Sequence, residues 1–139
     1  MAKFKLDPDP DPEVTVIGIS SHVPEHRLCW SLNKATGLRL TRRRTDIADE
    51  ADGHTAHFAT FDQADPDDDA PGTFTLIHNH SSHGVLLPEQ KGADYFLVVD
   101  KERAAGRPDL LERVRAADFV LAAFVVDLRQ LRAGHKLLA

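Results

Sequence analysis

The chain alternates short apolar stretches with clusters of proline, glycine and aspartate. VTVIGIS, residues 14–20, is β-branched and apolar on both faces, the pattern of an interior strand. In PEHRLCWSLNKATG, residues 24–37, Leu28, Leu32 and Ala35 fall at i, i+4 and i+7. Pro24 suits a first helical turn and Gly37 a C-terminal end, so one amphipathic helix is predicted there, laid on the sheet. Cys29 and Trp30 flank its apolar stripe and are assigned to the core. LRLTRRR, residues 38–44, predicts a short strand with a charged end, and TDIADEADG, residues 45–53, an acidic loop. TAHFATFD (55–62) and GTFTLIHNH (72–80) predict adjacent antiparallel strands joined by a second acidic loop over 62–71. SHGVLLP (82–88) predicts one more short strand, and ADYFLVVD (93–100) another interior one. PDLLERVRAAD (108–118) predicts a second helix with Leu110, Leu111 and Val114 on one face. FVLAAFVVDL (119–128) predicts the strand that closes the sheet.

Strands grouped between two helices predict an α+β fold: a mostly antiparallel sheet of about six strands, with two helices packed on one face. No Gly-rich turn joins a strand to a helix, so neither a dinucleotide site nor a P-loop is indicated. Residues 14–139 form one expected domain. Residues 1–13, which include DPDPDPE, are expected to be a disordered acidic, proline-rich N-terminus, because alternating prolines remove donors and bar helix.

Charge narrows the function classes. The chain has 22 acidic against 17 basic residues, a formal charge of -5. That balance argues against nucleic acid and anionic membrane as partners, since both need basic surface. No apolar run approaches the roughly 18 residues of a membrane span. Cys29 is the only cysteine, consistent with a reducing, cytoplasmic setting. The three arginines Arg42–Arg44 are read as a solvated strand end answered by Asp46, Asp49 and Glu50.

His78, His80 and His83 give the spacing H-x-H-x-x-H. On a strand, His78 and His80 share one face, roughly 6.6 Å apart along it. Two such imidazoles can share a Zn²⁺, with His83 as a third ligand and His57, on the neighbouring strand, placed opposite by cross-strand pairing. Against this, His78 and His80 share their face with Phe74 and Leu76, the pattern of a strand leaving the core. The preferred expectation is therefore no cofactor, with Zn as the alternative.

Downstream, Leu87-Pro88-Glu89, three residues, then Ala93-Asp94-Tyr95 resembles the I-P-E-x-x-x-V-D-Y signature that names a family of small bacterial proteins. Pro88, Glu89, Asp94 and Tyr95 match, Leu87 stands for Ile and Ala93 for Val, and HRLCWSLNK is similar to the family's first helix. The resemblance transfers no reaction or cofactor, and the signature holds no histidine. On the residues alone, Glu89 and Asp94 are expected to accept hydrogen bonds from loop N–H groups and hold the turn in one shape.

Two functions are expected from this pattern. The first is a non-enzymatic binding or assembly module with a protein partner or self-association as a homodimer, using a sheet edge or the surface from Pro88 to Tyr95. The alternative is a metal-dependent hydrolase built on His78, His80, His83 and His57.

Overall fold

A computed structural model of the chain describes residues 14–51, 53–63, 74–81, 84–90, 92–128 and 136–137. The expected disordered N-terminus, His83 and most of the second acidic loop lie outside the described residues.

Six strands form the main sheet: β1 (Val14–Ser20), β2 (Leu40–Arg42), β5 (Thr60–Gln63), β6 (Phe74–His78), β9 (Tyr95–Asp100) and β10 (Ala122–Val126). Their order is β10-β1-β9-β6-β5-β2, with every neighbouring pair antiparallel. The α+β class and the antiparallel sheet are as the sequence pattern predicts. The two strands apolar on both faces, β1 and β9, lie side by side near the middle, where both faces are covered.

Three helices cover one face: α1 (Glu25–Thr36), the short α2 (Lys101–Ala105) and α3 (Leu110–Ala116). Nothing in the hydrophobic pattern predicted α2; it buries no residue and is started by Asp100, whose carboxylate accepts from the Arg103 N–H. Leu28, Cys29 and Leu32 of α1 and Leu110 and Val114 of α3 pack on Ile17, Ile19, Leu76, Tyr95 and Leu97. Gly37 ends α1 at φ 77°, the left-handed conformation that favours glycine. Trp30 does not join this core. It is 58% exposed, with the Lys34 ammonium 5.2 Å from its ring centroid, because it points off the side of the buried stripe.

The opposite face carries a second apolar cluster, with Val16, Ile77, Phe96 and Val98 of the sheet beneath Ile47, Phe58, Leu86 and Leu87. Its cover is partly a hairpin of β3 (Ile47–Ala51) and β4 (His54–Phe58). This corrects the expected acidic loop at 45–53. The acidic residues of β3 sit on a strand anchored by buried Ile47, which pairs with Phe58. An Asp52-Gly53 step was the overlooked signal, and Gly53 turns at φ 78°. The predicted strand 55–62 is likewise split at Ala59: its first half belongs to the hairpin and its second half to the sheet. Thr60 joins the two, its buried hydroxyl donating to the Phe58 carbonyl and accepting from the Ile47 N–H.

Both outer strands of the sheet are partly covered by side chains. On β2, the Asn33 amide accepts from the Leu40 N–H at 2.8 Å and donates to the Leu40 carbonyl at 3.1 Å, taking the place of a strand neighbour. Buried Cys29 donates its S–H to the same carbonyl, and burial pushes its thiol up to about 11, with the Asn33 side chain opposing. On β10, Arg115 of α3 donates to the Ala123 carbonyl.

Gly18 lies under Phe124, where an added Cβ would meet the ring at 2.6 Å. Gly18→Ala should therefore destabilise the protein by about 1–3 kcal/mol in urea denaturation. A background of Phe124→Ala should remove most of that difference, so the double variant is the check on the cause.

Candidate functional site

Most side chains that carry chemistry gather at one end of the sheet, where β6 runs out at His78. The chain does not continue straight there. Asn79 breaks the ladder, and His80 begins the two-residue strand β7 (His80–Ser81), which pairs with β8 (Gly84–Val85). Asn79 is fully buried, and its amide is saturated: Oδ1 accepts from the Leu87 N–H at 2.8 Å, and Nδ2 donates to the Ala93 carbonyl at 2.8 Å. Its backbone N–H donates to the Asp94 carbonyl, and its own carbonyl accepts from the Leu86 N–H. One side chain thus fixes the 86–94 segment that carries the family-like signature.

With the segment held, each histidine meets a carboxylate from a different element. His78 Nδ1 lies 3.2 Å from Glu25 Oε2 in the first turn of α1. His80 Nε2 lies 3.1 Å from Asp94 Oδ1, at the entry to β9. Asp94 is gripped from just past β1 as well, its Oδ2 accepting from the Ser21 N–H at 2.9 Å. The Tyr95 ring stacks on His78 at 4.3 Å between centroids, and its hydroxyl donates to the Val23 carbonyl at 2.6 Å. The two imidazoles meet edge to face, 5.9 Å apart.

Glu25, His78 and His80 line a cleft of about 520 Å³ together with Arg42, Asp46 and His57, with Ala59 and Ser81 completing its wall. Arg42 reaches Asp46 through two guanidinium nitrogens and lies 5.6 Å from the Phe61 ring centroid. The next arginine, Arg43, is answered across the sheet by Asp62 at 2.8 Å. Burial alone would raise Asp62; Arg43 and the Thr75 hydroxyl outweigh it and hold the carboxyl below the usual range. Of the acids expected to answer the arginine run, Asp46 does so, whereas Asp49 pairs with Lys136 at 2.9 Å.

The sequence-predicted residues divide accordingly. His78 and His80 come together. His57 lines the same cleft, but its backbone partner is Ala48 in the hairpin, so it does not sit across a ladder from His78 or His80. His83 is outside the described residues. Among the described residues, no group of three His, Cys, Asp or Glu is arranged to hold a metal ion. Asp94 does accept a backbone N–H, from the end of β1 and not from its own loop. Pro88 and Glu89 are exposed in a turn, and Tyr95 is buried. Neither Asn79 nor Glu25 stands out in the sequence, and Arg42 does so only as part of a charged strand end. Asn79 carried one signal, a lone amide between two strand-pattern histidines at the end of an apolar run. The chain matches no family model, no curated protein and no solved structure.

Burial lowers His78 from its ordinary 6.5, outweighing the raising influence of Glu25. The neutral imidazole then donates a hydrogen bond from its Nδ1–H to Glu25 and leaves Nε2 as an acceptor. Its folded form binds a proton less readily than its unfolded form, so its stabilising contribution is present above pH 6.5 and lost as the pH falls below it. Between pH 7.5 and 5 the wild-type melting temperature should fall more steeply than that of His78→Gln, measured by thermal circular dichroism. Parallel profiles would contradict this assignment.

Proposed function

We propose that this chain is a non-enzymatic binding module whose recognition site is the cleft between the start of α1, the end of β6 and the β3–β4 hairpin. The observation that carries this is the commitment of the cleft's charges. Glu25 holds His78, Asp46 holds Arg42 and Asp94 holds His80, so the walls present a fixed pattern of donors and acceptors contributed by several separate elements. Preorganised polar groups around a concave site suit recognition, because little side-chain freedom is left to lose on binding. Kinship with the I-P-E-x-x-x-V-D-Y proteins belongs to the same proposal. Two of the matching positions, Asp94 and Tyr95, are the residues that grip His80 and His78.

The alternative, a metal-dependent hydrolase on the same histidines, draws support from one feature. Each imidazole of the pair is oriented by a carboxylate, the arrangement that commonly stands behind metal-ligating histidines.

One experiment addresses both. Untagged wild-type protein and a His57→Glu variant serve as immobilised baits in lysate, and retained species are quantified by mass spectrometry. The binding proposal expects a component held stoichiometrically by wild type and reduced at least tenfold by His57→Glu, with an unchanged melting temperature. Identical capture by both baits would overturn it. Elemental analysis after Zn²⁺ supplementation separates the alternative: bound metal lost in His78→Ala and His80→Ala would favour the hydrolase, and metal-free wild type would remove it.

A further inference from the structure

Of the five exposed large apolar side chains among the described residues, Phe119, Leu121 and Val125 lie within seven positions of each other on or just before β10. Leu121 and Val125 are 63% and 61% exposed and flank Ala123, which faces the helix-covered core. Strand β10 ends the sheet: β1 occupies one side, and no described strand occupies the other. Its sequence, AAFVV, carries no charge, proline or glycine, the usual means of guarding an edge. Phe119 stands just before it at φ 72°, a conformation that costs a bulky residue energy. The Arg27 guanidinium lies 5.9 Å from its ring centroid.

We infer that β10 is a self-association edge, and that its partner is β10 of a second copy, paired antiparallel about a twofold axis at Phe124. Two features select a second copy. The first is size. That axis sets Ala123 of each chain opposite Val125 of the other, so a small residue meets a large one twice and the exposed valines cover each other's neighbours. The second is hydrogen-bond parity. Ser20 accepts from the Leu121 N–H, and Ile19 accepts from the Asp94 N–H, so successive residues of β1 face β10 and β9 in turn. On that alternation Ala123 and Val125 direct their N–H and C=O groups outward, where the twofold pairs them. Arg115 takes one lone pair of the Ala123 carbonyl, and a carbonyl has a second.

This surface is separated from the cleft by β1 and β9, so the inference stands independently of the binding proposal. The test is sedimentation equilibrium of the full chain from low to high micromolar concentration. Wild type is expected to approach twice the 15.4 kDa protomer mass, and Val125→Asp to remain at the protomer mass with an unchanged far-ultraviolet spectrum. As a second readout, cysteines at Ala123 and Val125 in a Cys29→Ser background should cross-link between copies under mild oxidation, giving a dimer on a non-reducing gel. Wild type at protomer mass at every concentration, or Val125→Asp still dimeric, would overturn the inference.

Discussion

Asn79 is the side chain on which the rest of the site depends. A ladder strand that simply continued past His78 would carry the chain away from the cleft. The amide ends the ladder and substitutes for it, accepting from the Leu87 N–H and donating to the Ala93 carbonyl, both residues of the buried apolar cluster. In such a place an unpaired polar group is costly, so the amide and its backbone partners enforce one another's positions. The consequence extends to Asp94 and Tyr95, which leave the 86–93 segment already aimed at His80 and His78. Asn33 does the same for Leu40 on the far edge of the sheet, so this fold twice uses a side-chain amide where a strand neighbour would stand.

The architecture around it explains why polar groups converge at this one end. The two apolar clusters fill both faces of the sheet. Side chains with charge are therefore pushed to the sheet ends and hairpin surfaces, and β6 brings His78 out of the core immediately beside the first turn of α1. Glu25 there answers an imidazole that burial keeps neutral. Each carboxylate of the rim is neutralised or shared by a partner from another element, which stiffens the cleft without needing a ligand to hold it open.

Much of the fold was legible because its strongest signals are local. Continuous apolar runs marked β1 and β9 as interior strands, and Pro24 and Gly37 bounded α1 to within a residue. The errors share a cause: composition was taken for conformation. IADEA is acidic and reads as loop by composition, yet it is a strand, anchored by buried Ile47 and turned at Gly53 to pair with β4. Residue type alone places Trp30 in the core, while its helical position points it to solvent. At the site, the sequence brought forward His78, His80, Asp94 and Tyr95 as separate candidates. It did not join them, because the links run through Glu25, which is 53 residues from His78, Ser21, which is 73 from Asp94, and Asn79, which is 14 from Ala93. Long-range hydrogen bonds leave no periodicity to read.

The central claim is that the Asn79 amide, and not the apolar packing around it, fixes the segment that builds the cleft. Urea denaturation combined with hydrogen exchange of the Leu87 amide in Asn79→Ala tests it most directly. Two buried backbone groups would lose their partners, so the account predicts a loss of about 2–4 kcal/mol and a Leu87 amide that exchanges by local opening ahead of global unfolding. Wild-type stability with an equally protected Leu87 amide would contradict it.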